Sequence, residues 1–183
     1  KRGHAMDDVA ARLAVLENRV QELEDRDQIK QLAVRYGDVV DAHDAAGLRA
    51  QFTEDARWYW VNGVVDAQGI EAVMDALAGR WDTILGSFHV THGHAVDMDP
   101  NDPDRATGLL LSHAEVLREN NPMISAVRYD DVYRRVSGEW LFAERKLSFY
   151  YYVNASTYVG DLVSGTPVNA VGTKLAADLS HGA

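Results

Sequence analysis

Apolar residues recur at intervals of three and four positions along the first forty residues, which is the spacing of one face of an α-helix. This pattern predicts a helix from Asp7 to about Val40 that carries two apolar stripes in succession. The stripes are Val9, Leu13, Leu16, Val20 and Leu23, then Ile29, Leu32, Ala33, Tyr36 and Val40. The first stripe is heptad-like but too short for an independent coiled coil, so it is expected to pack on its own domain or on a sister subunit.

The middle of the chain mixes helical and strand-like patterns. A short helix is predicted over about residues 44–52, and the aromatic and β-branched residues of 56–61 predict a strand. The following dipeptide, Asn62-Gly63, is a strong signal for a hairpin turn. Helical spacing then returns over residues 70–81.

The second half of the chain reads as strands separated by turn sequences. We predict four of them, over residues 88–98, 106–117, 125–136 and 140–152, divided by DPNDPD, RENNP and SG. Helices followed by a run of hairpin-connected strands are typical of an α+β fold. The expected architecture is an antiparallel sheet that curls over the N-terminal helices.

The length of 183 residues favours one domain with a substantial core. We expect residues 1–5 to be a remnant of an expression tag, residues 6–24 to form a helical arm, and residues 25–157 to form the α+β domain. The remaining residues, 158–183, are rich in Gly, Val, Ser and Thr and are expected to form a tail or a lid over a pocket.

Composition narrows the function classes. Hydrophobic residues make up 46% and charged residues 25%, which are ordinary globular values, and no apolar run approaches the roughly 18 residues of a transmembrane helix. The chain has no cysteine, which excludes thiolate catalysis. A formal net charge of −10 argues against nucleic-acid or anionic-membrane partners. We therefore expect a soluble, cytoplasmic protein that binds a small hydrophobic molecule.

The segment SFHVTHGHAVD, residues 87–97, contains His89, His92 and His94. Two histidines two positions apart in a strand project from the same face, which is one hypothesis for a metal site. With Gly86, His92 and His94 even match the G-x5-H-x-H opening of cupin metal sites. The glutamate and the second histidine box of such sites are missing, so no metal is expected.

Strand alternation predicts that the three histidines divide between the two faces of the sheet. It places Phe88, Val90, His92, His94, Val96 and Met98 on one side and His89 on the other. His89 is then expected to face the cavity under the sheet, although it could equally cap or hydrogen-bond a loop. Val90 and Val96 are expected on an apolar outer face that favours assembly.

Asp41 lies where the long N-terminal helix should end. A carboxylate next to apolar residues is costly to bury without a partner, and an aspartate can orient a histidine that acts as a general base. A helix-terminal or turn role explains Asp41 equally well. Nothing in the spacing pairs Asp41 with His89.

Two long segments resemble the SnoaL-like members of the nuclear-transport-factor-2-like superfamily, which includes scytalone dehydratase, bile-acid 7α-dehydratase and hexachlorocyclohexane dehydrochlorinase. DQIKQLAVRYGDVVDAHDAAGLRAQFTEDARW resembles the first helices and the entry strand of that family. VRYDDVYRRVSGEWLFAERKLSF resembles its paired terminal strands. The resemblance covers about residues 25–150 and implies a cone-shaped α+β barrel around a pocket.

The same resemblance implies roles for individual residues. Asp41 matches the catalytic aspartate of the dehydratase and dehydrochlorinase branch, and Tyr36 matches a helix tyrosine. FHVTH resembles a His-x-x-His strand, which makes His89 the general base and His92 a companion. The later strand reads SHAEV where the bile-acid enzyme has a further acid, so His113 or Glu115 would have to replace that group. The arginine expected on the final strand is out of register, and Arg145 or Lys146 could replace it only by facing inward.

Aromatic residues on the predicted strands suit a pocket for an apolar ligand, although such residues are also ordinary core. The candidates are Trp58, Trp60, Phe88, Tyr129, Phe149 and Tyr151.

Together these features suggest a lyase of the dehydratase type that uses no cofactor and acts on a small hydrophobic, oxygenated cyclic or aromatic substrate. Water is the expected leaving group, with formaldehyde or halide as alternatives. An isomerase or polyketide-type cyclase with the same His–Asp pair, and a non-catalytic binding domain, remain open. Relatives form dimers and trimers, so a homodimer or homotrimer is expected.

Overall fold

The computed structural model describes residues 2–159, with side chains from residue 7 onwards. Its first element is one continuous helix, α1 (Arg2–Asp41), so the predicted N-terminal helix is confirmed. The second apolar stripe of α1 packs on the sheet, with Ile29 and Leu32 almost inaccessible to solvent. The first stripe is exposed along its whole length. It does not pack on its own domain, which excludes one of its two expected partners.

A short helix, a β-hairpin and a second short helix follow α1. They are α2 (Ala45–Arg49), β1 (Phe52–Trp60), β2 (Asp66–Gln68) and α3 (Ile70–Leu77), and α3 runs into a 3₁₀ turn at Ala78–Arg80. The predicted hairpin is confirmed, because β1 and β2 pair antiparallel around a turn in which Gly63 has a φ of 74°. Glycine adopts this left-handed conformation without steric strain.

Four long strands complete the described part of the chain. They are β3 (Ile84–Met98), β4 (Arg105–Arg118), β5 (Asn121–Val136) and β6 (Glu139–Asn154), and each pairs antiparallel with the next. All four strand predictions are confirmed, although β3 and β5 begin earlier than the pattern indicated. Most of the predicted tail or lid, residues 160–183, lies outside the described residues.

The six strands form one open, curved sheet in the order β2-β1-β6-β5-β4-β3. β1 runs parallel to β6, so the expectation of a wholly antiparallel sheet is wrong at this pair. Hairpin signals reveal only strands that are neighbours in sequence, whereas a parallel pair joins strands that are distant in sequence. The edge strands β2 and β3 do not pair with each other, so the sheet is a curved wall rather than a closed barrel. The α+β fold is confirmed.

A buried ion pair lies between α1 and the sheet. Asp131 and Arg145 have fully buried side chains and form two hydrogen bonds of 2.9 and 3.0 Å. The guanidinium carbon lies 4.1–4.2 Å from the ring centroids of Tyr36, Tyr129 and Phe142. The ion pair therefore packs against Tyr36 and Tyr129, two tyrosines that also line the cavity beside His89.

Candidate active site

The carboxylate of Asp41, at the last residue of α1, is held against β3 by three hydrogen bonds. Ser87 donates its hydroxyl to Oδ1 at 2.6 Å, and the backbone N–H of His89 donates to Oδ2 at 2.8 Å. The His89 ring nitrogen Nδ1 lies 2.6 Å from Oδ1. A negative charge at the C-terminal end of a helix is disfavoured by the helix dipole, so these donors offset an unfavourable position.

The environment of Asp41 favours its ionised form. Burial by itself would raise the pKa of the carboxyl, but the hydrogen bonds from His89 and Ser87 outweigh burial and lower the pKa below its ordinary value. An ionised carboxylate can only accept hydrogen bonds, so Nδ1 of His89 carries the proton in this contact. The other ring nitrogen, Nε2, is then the basic one.

Gly37 allows α1 to approach β3 at this point. A Cβ atom added at residue 37 would lie 3.2 Å from the Cβ of His89, closer than most side-chain contacts. Glycine within a helix is about 1 kcal/mol less favourable than alanine. Its presence here gives α1 the close approach that brings Asp41 within hydrogen-bond distance of His89.

His89 lines a cavity of about 130 Å³ between α1, α3 and the sheet. Most of the wall is apolar or aromatic and includes Trp58, Trp60, Phe149 and Leu147. Tyr36 and Tyr129 also line it, both almost fully buried. Burial raises the pKa of both phenols, which keeps them protonated and able to donate a hydrogen bond at neutral pH. Six residues named from the sequence are thus brought together around this space: Tyr36, Trp58, Trp60, His89, Tyr129 and Phe149.

A β-bulge in β3 changes the predicted division of the histidines. The pairing of β3 with β4 shifts by one residue between Thr91 and His94. One extra residue reverses the inward and outward alternation of everything that follows it. His94 therefore lies on the same inner face as His89, and so does Val96, which is 5% exposed. The prediction that His94 and Val96 share the outer face with Val90 is wrong.

The three histidines of the segment have three different environments. His94 lies 3.0 Å from the Tyr133 hydroxyl, and burial, followed by the charges of Arg145 and Lys30, lowers its pKa to about 4, so it is neutral at physiological pH. His92 is exposed on the outer face, where its Nε2 lies 2.7 Å from Nδ1 of His113. Only His89 faces the cavity.

Four residues expected to bind substrate do not line the cavity. His92 and His113 contact each other on the outer face of the sheet, because the strand before the bulge places every second residue outward. Phe88, adjacent to His89, is 61% exposed for the same reason. Arg145 does face inward, but Asp131 and three aromatic rings enclose it. None of the four therefore lies at the cavity that His89 faces.

Ser87, Gly37, Arg80 and Arg118 are site residues that the sequence analysis missed. Ser87 precedes His89 by two positions, so strand alternation would have placed both on the same face. The two arginines lie in or next to turns, at Arg80 and at the end of β4. Local pattern gives no indication of which way such side chains point.

No three His, Asp or Glu side chains among residues 7–159 cluster in a way that could hold a metal ion. None of the helices described is long and apolar enough to cross a membrane.

An open curved sheet that packs against a long helix and encloses an apolar cavity defines a cone-type α+β domain. The SnoaL-like domain family matches the chain over residues 21–146, well over half of its length. The protein belongs to the SnoaL-like family, as the resemblance implied.

Solved structures of similar fold include two from enzyme groups named above. One is a scytalone dehydratase-like protein from Novosphingobium aromaticivorans, with a TM-score of 0.68 and 21% identity over 74% of this chain and 91% of that chain. Another is the hexachlorocyclohexane dehydrochlorinase LinA type 3 from Novosphingobium barchaimii, with a TM-score of 0.65 and 20% identity over 75% and 94% of the two chains. No curated protein matches the sequence. At such identities the structures establish the fold.

Replacing Asp41 with asparagine should reduce the acid dependence of stability. The folded-state pKa of Asp41 lies below its unfolded value, so the ionised group stabilises the fold above about pH 3.9, and this contribution is lost as pH falls through the folded-state pKa. Urea unfolding at a series of acidic pH values measures the effect. The wild type should lose more unfolding free energy on acidification than Asp41→Asn. Asp38→Asn, which removes an exposed carboxylate from the same helix, is the control, and equal slopes for wild type and Asp41→Asn would contradict the prediction.

Proposed function

We propose that this protein is a cofactor-independent lyase that removes water from a small hydrophobic, oxygenated cyclic or aromatic substrate. The observation that carries the proposal is the 2.6 Å contact between Asp41 and Nδ1 of His89 at the wall of an apolar cavity. A carboxylate that fixes the protonated nitrogen of an imidazole leaves the other nitrogen free to accept a proton. Structural neighbours that are a dehydrochlorinase and a scytalone dehydratase-like protein support the same reaction class.

In the proposed reaction, Nε2 of His89 takes a proton from a carbon next to the one that bears the leaving group. The electrons of the broken C–H bond form the new double bond as the C–O bond breaks. Tyr36 donates a hydrogen bond to the departing oxygen, and the proton held by His89 leaves with that oxygen as water. Asp41 stabilises the imidazolium that forms between the two steps.

The surroundings of His89 suit such a proton transfer. The apolar wall excludes water, which strengthens the interaction between the imidazolium and Asp41. Burial raises the pKa of Tyr36, so its hydroxyl keeps the proton with which it donates a hydrogen bond. All of the groups needed belong to the chain, since the reaction requires only proton transfers.

The test is to incubate the protein with a panel of cyclic β-hydroxy ketones, including bicyclic ones fused to an aromatic ring, and to follow product mass. A product lighter by one water that forms only when His89 is present supports the proposal. A product of unchanged mass that depends on His89 would instead indicate an isomerase or cyclase. Saturable binding of the panel without any product would contradict catalysis and indicate a binding domain.

A further inference from the structure

The cavity wall contains two arginines, Arg80 and Arg118, which the proposed reaction does not use. Among the described residues that line this cavity none is an aspartate or a glutamate. The protein as a whole carries a formal net charge of −10, so a carboxylate-free cavity with two guanidinium groups is opposite in sign to the rest of the molecule. This contrast points to a ligand with a negative charge.

The fold brings the two arginines to one end of the cavity. Arg80 ends the 3₁₀ turn that leads into β3, and Arg118 ends β4 opposite Ile84, the first residue of β3. The backbone N–H of Glu119 donates to the carbonyl of Thr83 at 3.0 Å, which ties the turn to the end of β4. The charge of Arg118, after the larger effect of burial, helps to lower the pKa of Arg80, so the two cations are close enough to repel each other.

Both side chains are held in place by aromatic neighbours. The Arg80 guanidinium lies 5.8 and 5.3 Å from the ring centroids of Trp58 and Trp60, and burial raises the pKa of Tyr152, which the positive charge of Arg118 helps to lower. The indole nitrogen of Trp60 is buried and has no hydrogen-bond partner among the described residues. A ligand with several acceptor oxygens would offset the repulsion between the two guanidinium groups. It would also accept hydrogen bonds from them and from the indole N–H of Trp60.

We propose that the ligand of this cavity is a ring compound with a carboxylate or similar anionic group, which Arg80 and Arg118 bind while the ring lies towards His89. This inference deepens the proposed function by defining the substrate class. Ala114 pairs with His89, and Arg118 lies four residues further along β4, or roughly 13 Å of strand. The Arg118 side chain can extend back towards His89 over part of this distance. The space that is left between the bound anionic group and the His89 ring holds one or two rings of the ligand.

Binding measurements test this proposal independently of turnover. The probes are 2-naphthoate and its neutral analogue 2-naphthamide, compared by isothermal titration calorimetry. Charge-assisted hydrogen bonds should make naphthoate bind about 10- to 100-fold more tightly than naphthamide. Arg118→Gln and Arg80→Gln should each reduce or abolish this preference, whereas Arg128→Gln, which lies outside the cavity, should keep it.

Equal affinity for the two probes, or no saturable binding of naphthoate by the wild type, would overturn the anion site. His89→Ala separates this result from the proposed function. It should keep the preference for naphthoate, because the two arginines are unchanged, even though it removes the proposed base. A preserved preference with no dehydration by the wild type would overturn only the lyase.

An independent observation concerns the N-terminal half of α1. We define the arm seam as Val9, Leu13, Leu16, Val20 and Leu23. The five side chains are between 53% and 67% exposed, although they are spaced four, three, four and three residues apart. A heptad stripe left in water is the pattern of a helix whose partner is another helix.

The charged residues beside the arm seam favour a second copy of the same chain as its partner. With Leu13 and Val20 as heptad positions a, Arg12 and Arg19 occupy positions g, and Glu17 and Glu24 occupy the following positions e. In a parallel pair of helices, each g residue faces the next e residue of the partner, so every arginine meets a glutamate. In an antiparallel pair, arginine would face arginine and glutamate would face glutamate.

The body of the protein leaves room for this pairing. At 3.6 residues per turn, the arm seam points about half a turn away from the face of α1 that carries Ile29, Leu32 and Tyr36. Two arms can therefore join along the arm seam while each domain lies on the outside of its own helix. Asp27 and Lys30 continue the same heptad positions, so the apolar seam ends where the domain begins.

We infer that the arm seams of two copies form a short parallel coiled coil that joins two domains into a homodimer. Because the chain has no cysteine, a single introduced thiol reports the arrangement directly. Val9→Cys lies at a d position near the start of the arm. In a parallel dimer in register it should form an intermolecular disulfide on mild oxidation, whereas in an antiparallel dimer the two thiols lie at opposite ends.

The strength of the contact is measured by analytical ultracentrifugation over a range of concentrations. Leu16→Glu should raise the dimer dissociation constant at least about tenfold, because it places a charge in the seam. Val15→Glu is the matched control, since Val15 is equally apolar and 58% exposed but lies off the arm seam. Equal effects of the two variants, or no Val9→Cys disulfide from a protein that is dimeric in solution, would overturn the coiled coil.

Discussion

Replacing Asp131 with asparagine is expected to lower the free energy of unfolding by about 3–5 kcal/mol. Both side chains of the Asp131–Arg145 pair are fully buried, and the substitution leaves the Arg145 guanidinium as an uncompensated charge in the core. Three aromatic rings surround that guanidinium. Tyr133 also loses the carboxylate oxygen to which its hydroxyl donates a hydrogen bond. Urea unfolding followed by circular dichroism measures the loss.

The chain supplies a matched control for burial. Arg57 and Asp66 form an ion pair of the same two-bond geometry, with two contacts of 2.8 Å, but on the surface. Asp66→Asn removes the same charge by the same substitution, and water screens the arginine that remains. Its effect should be far smaller. Similar losses in Asp66→Asn and Asp131→Asn would show that the buried pair does not stabilise the core through burial of its charges.

Replacing His89 with alanine is expected to reduce the turnover number about a hundredfold to ten-thousandfold, the usual contribution of a general base. The ring stands between the Asp41 carboxylate and the cavity, so the substitution removes the base of the proposed reaction. The effect should fall on the turnover number rather than on ligand affinity. The measurement is steady-state kinetics on whichever panel compound the wild type dehydrates.

His92→Ala is the control for this variant. His92 lies three residues away on the same strand, but on the outer face, where it contacts His113. The His92→Ala variant should keep the wild-type turnover number. A comparable loss in His92→Ala and His89→Ala would show that the strand, and not the His89 imidazole, supports turnover, and that result would contradict the assignment of His89 as the base.

The main elements of the fold could be predicted from the sequence, because each has a local signal. The four long strands alternate and are separated by Asp, Asn, Pro and Gly, and α1 shows helical spacing over its length. The parallel pairing of β1 with β6 has no such signal. It depends on contacts such as Trp58 with Arg145, which are formed only when the sheet assembles.

In the candidate site, too, local sequence patterns predict the position of some residues and fail for others. Alternation placed His89 on the inner face of β3 correctly but failed for His94, because a β-bulge has no reliable signature in a strand of this composition. The proximity of Asp41 to His89 came from the family resemblance. Arg145 or Lys146 could replace a substrate-binding arginine only by facing inward, and Arg145 does face inward. Its role is different because its partner, Asp131, lies on the neighbouring strand, and the spacing of residues in the sequence does not disclose this pairing.

The parallel pair of β1 and β6 also determines the order in which this chain can fold as the ribosome makes it. β1 carries Phe52, Trp58 and Trp60, and its neighbour in the finished sheet includes Arg145. At about 5–20 residues per second, roughly 4–17 s pass between the synthesis of Trp58 and that of Arg145. During that interval the short β2 is the strand already available to pair with β1, and the β6 edge of β1 stays unpaired. The nascent protein therefore presents an unpaired strand edge for seconds, and synonymous codons that slow translation between β1 and β6 should lower its soluble yield.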